Sequence, residues 1–252
     1  MSAPTPNSED MTTTPAISLE NVQFAYKPKE PILRIDQLRI ARGRHVFLHG
    51  PSGSGKTTLL SLISGVLVPQ KGSITVLGQD LTQLSGSARD KLRGSQMGYI
   101  FQGFNLLPYL TVAENIALPC YLHAARRGRI TAPSVSEEVV RLAYYLDIHH
   151  QLQEPVAHLS TGEQQRVAIA RAVIGAPALV IADEPTSSLD PDRRDAFLAL
   201  LMEMIGAARK HNDVGTTLLF VSHDPALRAH FDEALSLATI TGRERMEEAP
   251  TV

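Results

Sequence analysis

Residues 50–57 read Gly50-Pro51-Ser52-Gly53-Ser54-Gly55-Lys56-Thr57, a full match to the pattern G-x-x-x-x-G-K-[ST]. The glycines let the backbone curl so that successive N–H groups point at phosphate oxygens. A helix starting near Gly55 adds its positive dipole end. Lys56 brings a mobile positive charge to the outer phosphates, and Thr57 offers a hydroxyl oxygen to Mg²⁺. This chemistry needs a strand before the loop and a helix after it. His45–His49 is a short apolar run and residues 57–64 are helix-like, so the context is met.

Working outward, residues 17–26 alternate loosely as a first strand, broken by Pro28 and Pro31. Residues 32–40 read as a strand pair, 73–77 as a strand with a turn at Gly78-Gln79-Asp80, and 97–101 as another strand. Between Gly103 and His158 the pattern is helical, with a capping-box spacing at Ser134 and Glu137 and a helix between Pro133 and Pro155. A helix over 162–173, strands over 178–182 and 217–222, and a helix around 193–210 complete the pass. Apolar strands alternating with helices predict an α/β core with a mostly parallel sheet. The expected organisation is a tail over 1–16, one domain over 17–240 with a helical subdomain at about 104–175, and a C-terminal tail over 241–252.

The strand 178–182 runs into Asp183 and Glu184. One carboxylate there can hold Mg²⁺ and the next can polarise an attacking water. Successive strand residues point to opposite sides, so the two acids need not share a task.

Composition narrows the class. The 252 residues are 43% hydrophobic and 20% charged, with a net charge of −2, as in an ordinary globular chain. There is no basic excess of the kind that binding a phosphate backbone requires. The single cysteine, Cys120, can form neither an internal disulfide nor a Cys-based zinc site and reads as a small buried apolar residue. No run approaches the ~20 apolar residues of a membrane span. Residues 1–16 are rich in Ser, Thr and Pro, lack the basic and apolar regions of a secretory signal, and read as disordered. Met1 and Met11 are both candidate starts.

Leu159-Ser160-Thr161-Gly162-Glu163-Gln164-Gln165-Arg166, followed by Val167 to Ala172, resembles the signature motif and helix of the ABC ATPases. It lies at the family's spacing before Asp183. Gln102 looks like the family's Q-loop glutamine, Ser187-Ser188-Leu189-Asp190 resembles its D-loop, and His223 resembles its switch histidine. Tyr26 stands where the family keeps an aromatic for adenine. The resemblance covers roughly residues 17–240.

The resemblance implies a P-loop ATPase fold with an N-terminal antiparallel β portion and an inserted helical subdomain. ATP and Mg²⁺ would be bound by two subunits closing head to tail. Gly50 to Thr57 and Thr58 of one chain would hold the phosphates. Ser160, Thr161, Gly162 and Glu163 of the other, with Asp190, would face them. Glu184 would be the general base, Asp183 with Thr57 and Gln102 the metal group, and His223 and Lys56 partners of the γ-phosphate. Two departures stand out. Thr161 occupies a place where the family commonly has glycine, and this predicts slower hydrolysis. Ser188 replaces a more usual Ala or Asn.

Phe101 to Pro108, Leu110 to Pro119 and Glu163 are similar to the lipoprotein-release, macrolide-export and cell-division branch. That branch implies a separate permease with four membrane helices per chain. This subunit would sit at the cytoplasmic face of the inner membrane, and the cargo would be a lipid, a lipoprotein or a peptide- or drug-like molecule. Phe104, Leu106, Leu107 and Leu110 would either receive a permease helix or pack the subdomain. The alternative function is mechanotransmission to an extracytoplasmic enzyme. A soluble DNA-repair or ribosome-associated ATPase is disfavoured. There is no long coiled-coil insertion between Lys56 and Ser160, no second ATPase unit, and no basic stripe or Cys-rich module.

Overall fold

The computed structural model describes residues 14–27, 31–187, 189–208 and 215–242. At its centre, β3 (His45–His49) pairs in parallel with β8 (Thr217–Val221) and β9 (Glu233–Ser236). β7 (Leu179–Asp183) and β6 (Met97–Ile100) extend the sheet to the order β6-β7-β8-β3-β9, parallel throughout. Every residue of β8 is buried, as are Leu179 to Ala182 of β7. A strand covered on both faces has no polar side to show, and this explains the unbroken apolar runs in the sequence.

The period of two along these strands divides the interior. Val46, Leu48, Leu179, Ile181, Leu219 and Val221 face one core, built with α1 (Lys56–Ile63) and a second sheet. That sheet is antiparallel, in the order β2 (Leu33–Ile40), β1 (Ile17–Phe24), β4 (Lys71–Val76), β5 (Gln79–Asp80). Phe47, Val180, Ala182, Leu218 and Phe220 face the opposite core. There they meet α3 (Val112–Leu122), which is followed by the short α4 (Ala124–Arg127), and α5 (Val135–Tyr145), α6 (Thr161–Val173) and α7 (Pro191–Ala208).

Several expectations shift. Within residues 32–40 there is one strand, β2, rather than a pair. Asp36 and Gln37 are both exposed and interrupt the alternation, but they do not turn the chain. The helix α2 (Gly86–Gln96) has no apolar stripe to mark it in the sequence, since only Ser95 is buried along it. Its start is marked by Ser85, whose side chain accepts from the Ala88 N–H. The edge strand β9 is half covered and equally silent. At Ser134 the expected box is half made: Glu137 meets the Ser134 hydroxyl at 2.9 Å instead of the backbone. Full capping boxes stand at Thr111–Glu114 and Ser160–Glu163. Of the tail expected over 1–16, residues 1–13 lie outside the described residues. Ala16 is buried, with its N–H on Ile40 O at 2.8 Å and its carbonyl accepting from Leu77. Ser188, Lys210 and residues 243–252 also lie outside the described residues. Among the described residues, no helix is long and apolar enough to cross a membrane.

Candidate functional site

β3 delivers the chain into the loop 50–55, and α1 begins at Lys56. Gly55 has φ +105°, and a Cβ there would lie 2.9 Å from Leu33 Cδ2, so both backbone and packing call for glycine. The Lys56 side chain folds back over the loop. Its ammonium donates to Gly50 O at 2.7 Å and Pro51 O at 3.1 Å, and lies 3.2 Å from Glu184 Oε1. These are oxygens arranged around one cation, and phosphate oxygens are suitable replacements for them.

Asp183 closes β7 opposite Val221 of β8. Burial, reinforced by the charge of Glu184, pushes its carboxyl above the usual range, against the pull of Lys56 and a hydrogen bond from Thr57. The next residue, Glu184, has φ +46°, a left-handed backbone that costs a non-glycine residue of order 1 kcal/mol or more. Its N–H is held by Val221 O at 3.0 Å. That turn aims the Glu184 carboxylate across the cleft, with Oε1 toward Lys56 and Oε2 2.6 Å from His223 Nδ1. His223 follows β8, the neighbour of β7, so adjacent parallel strands present both groups at their C-terminal ends.

Gln102 follows β6, and its amide donates to Ser187 Oγ at 3.1 Å. Tyr26 stands at the rim, 60% exposed, with its hydroxyl 3.3 Å from Thr58 Oγ1 and its ring edge-on to Phe24. The cleft encloses about 480 Å³ and brings together Ser52, Gly53, Gly55 to Thr58, Gln102, Asp183, Glu184 and His223. Ile32 and Ser187 also line it. Ser187 is the first residue of the D-loop-like stretch, whereas no motif in the sequence marks Ile32.

Ser160, Thr161 and Gly162 lie elsewhere, on a separate cavity of about 620 Å³ beside Leu189, Arg193 and Phe197. Glu163 does not reach toward a ligand there. Its carboxylate accepts from Ser160 N at 2.8 Å and Ser160 Oγ at 2.7 Å, and from the Gln151 amide. Asp190 caps α7, accepting from Arg193 N at 3.0 Å, and is absent from the cleft lining.

The segment after Gln102 is held from two sides. Asn115, fully buried on α3, donates to Leu107 O, Leu110 O and Thr111 O and accepts from Leu107 N. Arg171 of α6 donates to Asn105 O and Phe104 O. Phe104 is buried in the helical core with Leu106 packed against it, so these two pack the subdomain. A groove of about 260 Å³ nearby is lined instead by Tyr99, Phe101, Leu118 and Leu122.

A family model described as ABC transporter matches residues 33–187. The chain belongs to the ABC transporter family. It is 38% identical over 201 residues to the lipoprotein-releasing system ATP-binding protein LolD of Pseudomonas fluorescens, covering 80% of this chain and 84% of that one. It is 39% identical over 227 residues to LolD of Anaeromyxobacter dehalogenans, covering 89% and 91%. Among solved structures, the dimeric post-hydrolysis state of the ATP-binding cassette MJ0796 bound to ADP and Pi superposes with TM-score 0.74 at 30% identity, covering 87% of this chain and 93% of that one. As a member of this family the chain is an ATP-binding, ATP-hydrolysing subunit with a P-loop ATPase fold.

Proposed function

We propose that two copies of this chain pair head to tail around two ATP molecules and drive a separate membrane permease from the cytoplasmic face of the membrane. The observation that carries this reading is the separation of the cleft at Lys56 from the cavity at Ser160, which share no lining residue among the described residues. In one copy the head of the signature helix does not line its own cleft. In a head-to-tail pair each cleft is closed by the other chain's Ser160, Thr161 and Gly162 at a helix N-terminus, which attracts an anion.

In each closed site Lys56 leaves the Gly50 and Pro51 carbonyls for phosphate oxygens. Glu184, released from Lys56 and still held by His223, accepts a proton from the attacking water. The donor set suits Mg²⁺: Thr57 offers a hydroxyl, Asp183 a carboxylate that burial leaves short of positive charge, and Gln102 an amide oxygen. Bound there, Mg²⁺ would neutralise charge on the phosphates. The groove at Tyr99, Phe101, Leu118 and Leu122 offers an apolar seat for a segment of a permease with four helices per chain. The lipoprotein-releasing relatives support a cargo of the lipid or lipoprotein kind.

The test is to purify tagged Glu184→Gln from detergent-solubilised membranes with ATP and Mg²⁺. Recovery of a four-helix permease with a large external domain is expected. A soluble dimer with no membrane protein, found repeatedly, overturns the permease reading. A cell-wall hydrolase in the complex moves it to mechanotransmission.

A further inference from the structure

At the end of α5 the chain makes a tight reversal. Asp147 takes a left-handed backbone (φ +53°), its N–H reaches Tyr144 O, and the N–H of Ile148 reaches Ala143 O at 2.9 Å. This is the two-bond helix stop usually built with glycine. Ile148, fully buried, anchors it, and His149 to Gln151 follow as one 3-10 turn. The result places Asp147, His149 and His150 on one patch, each with a ligand atom within 4.8 Å of the others. Among the described residues no other trio of His, Cys, Asp or Glu is so gathered.

The His149 ring is held before any ligand arrives. It stacks on Tyr144 at 4.1 Å with planes 11° apart, and its buried Nδ1 has no hydrogen-bond partner among the described residues. His150 stands edge-on to it at 5.4 Å. One carboxylate and two imidazoles form a donor set for borderline transition metals and a poor one for Mg²⁺ or Ca²⁺. Tetrahedral ligands at about 2.0 Å from zinc lie about 3.3 Å apart. Asp147 and His150, both exposed, would close in by side-chain rotation while His149 stays on Tyr144. Arg166, 3.6 Å from Asp147 Oδ2 and hydrogen-bonded to Leu146 O, opposes the cation and must give up that ion pair.

We infer that Asp147, His149 and His150 form a surface site for a zinc-class divalent transition metal, distinct from the nucleotide cleft. The site adjoins the signature helix. The Gln151 amide lies 3.5 Å from His150 Nε2 and donates to Glu163, the acid that caps α6 through Ser160. His150 is thus linked through Gln151 to the residue that holds the head of that helix.

The experiment uses the full chain with any affinity tag removed, in excess Mg²⁺ so that the cleft at Asp183 is covered. Co²⁺ is titrated and followed by its visible absorption, then displaced by Zn²⁺. One equivalent per chain is expected, with affinity reduced at least about tenfold in Asp147→Gly, His149→Phe and His150→Gln. Glycine suits the left-handed turn and phenylalanine keeps the stack on Tyr144, so folding is preserved; thermal melts without metal check this. No saturable Co²⁺ binding, or binding unchanged in all three variants, overturns the site. Neither outcome depends on ATP turnover.

Discussion

Glu184 is held by three other residues: Val221 fixes its backbone, while Lys56 and His223 share its carboxylate. Its left-handed backbone is maintained by β8 and not by its own preference. Glu184→Gln keeps the side chain's shape and removes the base, so phosphate release should fall by at least about 10² while ATP-dependent pairing persists. Gel filtration with and without ATP reads the second half. Thr161 heads α6 and is exposed, with open space around Gly162. Thr161→Gly should raise turnover by easing approach to the opposite phosphate, and should lower stability by up to about 1 kcal/mol through added backbone freedom. Unchanged turnover would remove Thr161 as a brake. The identities of the cleft residues were legible because each terminates a recognisable strand or loop. The Lys56–Glu184–His223 arrangement was not, because it depends on how β7 and β8 stand side by side.

At the scale of elements, α6 packs closely against the edge strand β6. Gly98 of β6 passes so close that a Cβ there would lie 2.2 Å from Ala172 O. Gly98→Ala should therefore cost about 2 kcal/mol or more and lower the melting temperature by several degrees. On α5, burial alone would raise the Glu138 carboxyl. The hydrogen bonds and charge of Arg141, with Ala132 N–H and the Thr131 hydroxyl, outweigh it and hold the pKa below the ordinary value. A depressed carboxylate stabilises the fold above its unfolded pKa and loses that contribution as pH falls through the folded one. Denaturation midpoints of wild type and Glu138→Gln should converge as pH drops below the ordinary carboxylate range and separate above it, wild type being the more stable. Strands β7 and β8 were readable from their apolar runs. The helix α2 and the strand β9 were not, since a polar surface helix and a half-covered edge leave no periodic apolar trace.

Across the whole molecule, one sheet separates two cores and carries the cleft at the C-terminal ends of its strands, while the head of α6 opens on a different cavity. With the proposed pairing, each active site takes its phosphate loop from one chain and its signature from the other. Lys56→Ala destroys the first kind of half. Ser160→Asp keeps a good helix cap but sets a negative charge against the γ-phosphate. Each variant alone should trap no ATP, and a mixture of the two should regain trapping at one site of every mixed pair, as read by nucleotide retained after rapid desalting. Mixtures as inactive as their parents would sink the head-to-tail arrangement. The same separation of cavities has a consequence for inheritance. With the proposed pairing, a cell carrying two different loss-of-function alleles, one in each half, should regain part of the function. An allele with both lesions on one chain should disable every partner it meets and behave as a dominant allele even beside an intact copy.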